Sequence, residues 1–151
     1  MKARPTVAQT TAADGAEVVA ALVRARAEAK VAAIVLARRM AEKIIGHAVA
    51  LDAQVMRAIA AQALAAAKLG KDAVVLRVHP EDLASLESTR AEWLAEIELQ
   101  AHVQLVADVS VGRCGCIVET PHGRLDARLS TQLDAMERAL RVVVTKEAQH
   151  G

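Results

Sequence analysis

Aromatic side chains are almost absent: there is one Trp, no Tyr and no Phe, 1% of the chain. Without aromatic platforms, binding of single-stranded nucleic acid by base stacking is excluded. Charge of one sign is not in excess either. Lys and Arg number 19 against 18 Asp and Glu, a net +1, so no basic field points to DNA. No uncharged apolar run reaches about 18 residues, which excludes a membrane-spanning helix. The first residues carry no apolar core of the secretory kind, so no signal peptide is expected. Phosphate-binding and hydrolytic motifs are missing as well: no GxxxxGK[ST], no GxGxxG, no HExxH and no GxSxG. Cysteine is confined to Cys114 and Cys116. In an extended segment these thiols lie on one face about 6.5–7 Å apart, which suits a disulfide poorly. Free thiols packed as small apolar strand residues are expected. The five His are scattered without metal spacing, so neither metal nor cofactor is expected.

What is present is apolar and helix-forming. Hydrophobic residues make up 54% of the 151, and Ala alone roughly a fifth. That composition excludes global disorder and suits a soluble, cytoplasmic, helix-rich protein. Residues 1–13 read as a flexible tail, and Asp14 as the N-cap of a first helix. From Ala16 to Ala48 there is no Pro, which predicts one helix of roughly 45–50 Å. Two patterns overlap in it. Ala20, Val23, Ala27, Val31, Ile34, Ala37, Ala41, Ile44 and Ala48 recur every three or four residues, a coiled-coil-like seam. Ala21, Ala25, Ala29, Ala33, Ala37 and Ala41 form a four-residue ridge that lets helices approach closely. Asp52 caps a second helix, Ala53 to Leu69, with Gly70 as its C′ residue and Val55, Ile59, Ala63, Ala66 and Leu69 as its buried stripe. His47 falls near the junction of the two.

After Gly70 the pattern changes. Residues 73–78 are short and β-branched and predict a strand. His79-Pro80-Glu81-Asp82 starts a helix, with His79 helping to cap it. Leu83, Leu86, Arg90, Leu94 and Ile97 continue at helical spacing, and Trp93 beside them reads as a core or interface anchor. His102 to Ala107, Gly115 to Thr120 and Arg124 to Ala127 read as three more strands, with Asp108 to Arg113 a loop. Gly123 closes the tight turn Pro121-His122-Gly123, where a positive φ is expected. Leu129, Leu133, Met136 and Leu140 define a last amphipathic helix ending near Val144, before a frayed tail. The expected organisation is a tail (1–13), a helical stalk that dimerises (14–70), an α/β head (71–144) and a second tail (145–151). A thiol-dependent enzyme would have to use Cys114 or Cys116 with His122 as base, but no third residue orients that pair. Glu119 and Asp126 flank the turn. They read either as an acid pair or, more simply, as partners of an Arg such as Arg124 or Arg128.

The run from Cys114 to Leu140 resembles the C-terminal signature of the FliH/YscL (SctL) family, the stator proteins of type III secretion and flagellar export ATPases. The matching positions are Gly115, Cys116, Val118, Glu119, Thr120, Gly123, Leu125, Asp126, Ala127, Leu129, Thr131, Gln132 and Leu133. Residues 37–45 and 75–83 resemble the same family, in the same order. The resemblance implies an α+β fold related to peripheral-stalk E-type subunits: a long helix, a second helix, and a small head with a mixed sheet and a C-terminal helix. It implies a non-enzymatic homodimer, pairing through Val23, Ala27, Val31, Ile34, Ala37, Ala41 and Ile44. Its implied partners are the N-terminal region of the secretion ATPase and the cytoplasmic ring protein, with no nucleic acid and no membrane insertion. Contact with the ATPase is expected at Leu133, Asp134, Arg138 and Arg141. Gln132-Leu133 leans towards injectisome members, and the region before the long helix lacks the aromatic residues that some flagellar members use to dock to the ring. A peripheral-stalk E subunit of a V/A-type ATP synthase is the alternative within the binding class.

Overall fold

A computed structural model describes residues 3–69, 71–96 and 102–150. Gly70 and Ile97 lie outside the described residues. The elements are α1 (Val7–Leu51), α2 (Ala53–Ala66), β1 (Val74–Val78), α3 (Pro80–Ser88), α4 (Arg90–Glu96), β2 (Val103–Ala107), a 3₁₀ turn (Val109–Val111), β3 (Cys116–Thr120), β4 (Gly123–Ala127) and α5 (Leu129–His150). This is the α+β arrangement read from the sequence. The chain forms two compact units, one of residues 39–136 and one joining the residues up to Arg38 with those from Glu137 onward.

α1 starts seven residues earlier than Asp14, which lies inside the helix and caps nothing. The start is set by Thr6-Val7-Ala8-Gln9: the Thr6 N–H donates to Gln9 Oε1 at 2.9 Å, one half of a capping box. The Thr10 and Thr11 hydroxyls then donate to carbonyls one turn back, so the Thr-rich stretch joins the helix. From Val7 to Arg26 every residue of α1 is exposed. At the other end α5 continues past Val144 to His150, so the expected frayed tail is helical over its described part.

In the larger unit, Asp52 caps α2 by accepting from the Gln54 N–H at 2.8 Å, as expected. α2 ends at Ala66, and its buried face is Met56, Ala60, Ala63 and Leu64. That face is rotated by about one residue from the expected stripe: Val55, Ile59 and Leu69 are only half-buried and Ala66 is exposed. The sheet runs β2-β1-β3-β4, with β1 parallel to β2 and the other pairs antiparallel. Alternation on β1 buries Val74, Leu76 and Val78 on one face, where they join α2, Leu86 of α3 and Trp93 of α4 in the core. Trp93 is 1% exposed and its indole N–H donates to the Leu86 carbonyl at 3.0 Å, so it is a core anchor. The helix expected through Leu83, Leu86, Arg90 and Leu94 is broken at Thr89, where φ is −125°. His79 Nδ1 accepts from the Glu81 N–H at 3.2 Å and caps α3.

Asp82, 1% exposed, is the one buried charged side chain among the described residues. It accepts from Arg113 Nε at 2.6 Å and from the Cys114 N–H at 3.0 Å. Cys114 has φ 64° and precedes β3, so the two thiols do not share a strand. The glycines also sort differently from expectation. Gly123 has no positive φ, and a Cβ there would meet open space. Gly112 has φ 74°, and a Cβ on Gly115 would lie 2.7 Å from both Arg128 Cα and Leu129 N. The backbone entering β3 therefore slides directly under the β4–α5 joint. Gly115→Ala is expected to destabilise the head by about 1–3 kcal/mol through overpacking. Gly123→Ala is expected to stay within about 0.5 kcal/mol of wild type in denaturant titration. Equal stability of the two variants would show that the close approach is not needed.

Candidate docking surfaces

Residues 115–133 build a joint, not a pocket. Asp126 accepts from the Arg128 backbone N–H at 3.1 Å and from the Arg128 guanidinium at 2.9 and 2.6 Å. The Arg128 side chain foremost, with its backbone N–H and the Thr131 hydroxyl, holds the Asp126 carboxyl down at about 2 against the opposing effect of burial. Gln132 Nε2 donates to the Ala127 carbonyl at 2.9 Å. Asp126, Thr131 and Gln132 thus fasten β4 to the first turn of α5. Glu119 accepts from Arg77 Nε at 2.9 Å, and Arg77 also lies 3.8 Å from Asp108. Glu119 stands opposite Arg124 and Asp126 opposite Ile117, so the two acids do not face each other directly, and each has an Arg.

The thiols are unsuited to nucleophilic work. Both are free and buried. Burial pushes both upward, Cys116 to about 12, opposite to the shift a reactive thiolate needs. His122 sits in the exposed turn beyond the far end of β3 from Cys116, 3.3 Å from Asp72. His47 is exposed within α1, and the helix junction lies at Asp52 instead. Among the described residues no cluster of His, Cys, Asp and Glu can hold a metal, and no helix is long and apolar enough to cross a membrane.

The unpartnered surfaces lie on helices. On α5, Leu133 is buried at 7%, so it offers little side chain to a partner. Arg138 is exposed, while Arg141 donates to Glu137 at 2.9 and 2.7 Å. Asp134 is half-buried. The apolar side chains Met136, Leu140, Val142 and Val143 remain half or more exposed. A groove of about 320 Å³ beside the hairpin is lined by Ile59, Ala66, Leu125 and Gln132 among others. Of the seam residues on α1, Ala27, Val31, Ile34 and Ala41 are half-buried, whereas Val23, Ala37 and Ile44 are exposed. Sequence reasoning missed Val18, Leu22, Leu36 and Met40, which are also exposed. The four-residue step Leu36-Met40-Ile44 was the available signal, masked by the denser Ala pattern on the same helix.

Comparison with known proteins adds a framework. The family model described as flagellar assembly protein FliH matches residues 9–136. A flagellar assembly protein FliH of Borreliella burgdorferi is 31% identical over 67 residues, covering 44% of this chain and 22% of that protein. A type 3 secretion system stator protein of Yersinia pestis is 32% identical over 92 residues, covering 61% of this chain and 39% of that protein. One from Yersinia enterocolitica is 30% identical over 67 residues, or 44% and 30%. The chain therefore spans about two fifths or less of the length of these relatives.

The depressed carboxyl of Asp126 has a consequence for acid stability. A group lowered in the folded state stabilises it fully above its unfolded value, near 4, and loses that effect as pH falls towards about 2. Asp126→Asn is expected to lower head stability at neutral pH and to flatten the decline between roughly pH 4 and pH 2. Parallel acid titrations of the two proteins would contradict the Asp126–Arg128 account.

Proposed function

The chain belongs to the FliH family, and from that premise we infer that it acts as a non-catalytic stator in type III secretion or flagellar export. The observation that carries this reading is the continuous match over residues 9–136, which takes in both the long helix and the head. The matching signature residues Gly115, Asp126, Thr131 and Gln132 build a joint between strands and helix, as suits a scaffold. An injectisome is favoured over a flagellum by Gln132-Leu133 and by the longer stretch aligned with the Yersinia stator. The place of action is the cytoplasmic face of the secretion apparatus.

The head holds the N-terminal region of the secretion ATPase. The surface best suited to this is the second half of α5, where Leu140 and Val143 are exposed on the same helix as the charged Arg138. An amphipathic helix laid along such a surface is a common mode of recognition. Tethering to the cytoplasmic ring completes the stator role. The long helix pairs with that of a second copy through the seam around Val23, Ala27, Val31, Ile34, Ala37, Ala41 and Ile44. Support comes from the stretch Val7–Arg26, which leaves Val18, Val19, Leu22 and Val23 exposed, since a helix in a protein draws most of its stability from packing an apolar face.

Capture of the cell's own secretion ATPase by the full chain tests the reading. Arg138→Glu is expected to weaken capture several-fold, more so at low salt, because rim charges tune association. A fragment of residues 1–70 is expected to capture none. Full capture by that fragment would remove the head from the docking role. Ile34→Glu together with Ala41→Glu is expected to give monomers in sedimentation, because it buries unpaired charges in the seam.

A further inference from the structure

Within the smaller unit, α1 and the second half of α5 run antiparallel. Two ion pairs set the direction: Arg38 Nε to Glu137 Oε2 at 3.4 Å, and Lys30 Nζ to Glu147 Oε2 at 2.5 Å. The half-buried positions of α1 in this unit are Ala27, Lys30, Val31, Ile34, Val35 and Arg38, one helical face. Three of them, Ala27, Val31 and Ile34, belong to the seam assigned to a second copy. From Glu137 onward, the half-buried positions of α5 among the described residues are Glu137, Arg141 and Val144. The helix thus turns a largely charged side to α1 and leaves Leu140, Val142 and Val143 in solvent. Near the end of the contact, Val23 and Ala27 stand across a gap of about 250 Å³ from Val144 and Ala148. An amphipathic helix seated on its polar side, over a gap and through one exposed and one half-buried ion pair, is weakly held at its exposed end.

We propose that the second half of α5 is a displaceable strap that lies over the pairing face of α1 within the same chain and holds back dimerisation until it lifts. Lifting it exchanges a polar, gapped contact for an apolar one between two α1 helices. The proposal rests on the dimer reading, and the strap provides its regulation.

Sedimentation equilibrium of the full chain tests it with Glu147→Lys, which changes only the strap and sets like charge beside Lys30 and Arg26. The dimer is expected to tighten about three- to tenfold at low salt, as suits the loss of one exposed pair, and the difference should shrink in high salt. Lys30→Glu combined with Glu147→Lys should return the dimer to wild-type strength. Amide exchange across residues 137–150 should rise in the single variant and fall back in the swap. An unchanged dimer with faster exchange in α5 overturns the strap while leaving the dimer standing. A weakened dimer overturns it by making α5 part of the interface. Wild type and variant both monomeric at high micromolar concentration overturn the dimer and the strap together. A monomeric wild type with a dimeric variant supports the strap.

Discussion

A single buried carboxylate organises the head. Asp82 sits in the first turn of α3, yet it accepts from Arg113 and from the Cys114 N–H, 31 and 32 residues further along the chain. Left unpaired at that depth it would cost several kcal/mol, so the segment before β3 has to come to it. The left-handed residues Gly112 and Cys114 give that segment its bend. Gly115 then passes beneath Arg128 and Leu129, where any side chain would collide with backbone. The crossover between the parallel strands, the entry to the antiparallel ones and the start of α5 are thereby tied to one point.

The other charges of the head follow the same logic at the surface. Arg77 takes Glu119, and Arg128 takes Asp126, so the acids around the hairpin are spent on joints between strands and helix. With the single Trp buried in the core and neither Phe nor Tyr in the chain, the outside recognises a partner without any of the three large aromatic side chains. They are grouped on α1 and α5, helices whose apolar residues exceed what their own chain covers.

Local signals were legible where local physics decides. Asp52 before Ala53, His79-Pro80 at α3 and the alternating Val74–Val78 all folded as their residue types dictate. The start of α1 was also written locally, as the Thr6–Gln9 capping box, but Asp14 offered a more familiar cap and drew the boundary inward. The break at Thr89 was invisible because Leu86, Arg90 and Leu94 keep helical phase across it. The rotation of the α2 stripe to Met56, Ala60 and Leu64 was hidden because Ala is too frequent to mark a face. Gly123 drew the expectation of strain because it follows a turn, while the glycines under constraint answer to distant groups. The Asp82–Arg113 and Lys30–Glu147 pairs depend on tertiary contact and leave no trace in spacing.

Trp93 makes the molecule optically one-eyed. It is the sole indole, there is no Tyr to add to its emission, and it is sealed in the head with its N–H bound to the Leu86 carbonyl. Its fluorescence therefore watches α4 and the core of one unit and is blind to the other. Circular dichroism at helical wavelengths is weighted instead towards the 45 residues of α1. Heated or diluted, the protein has two clocks that read different parts of itself, and any lag between them measures how independently those parts come apart.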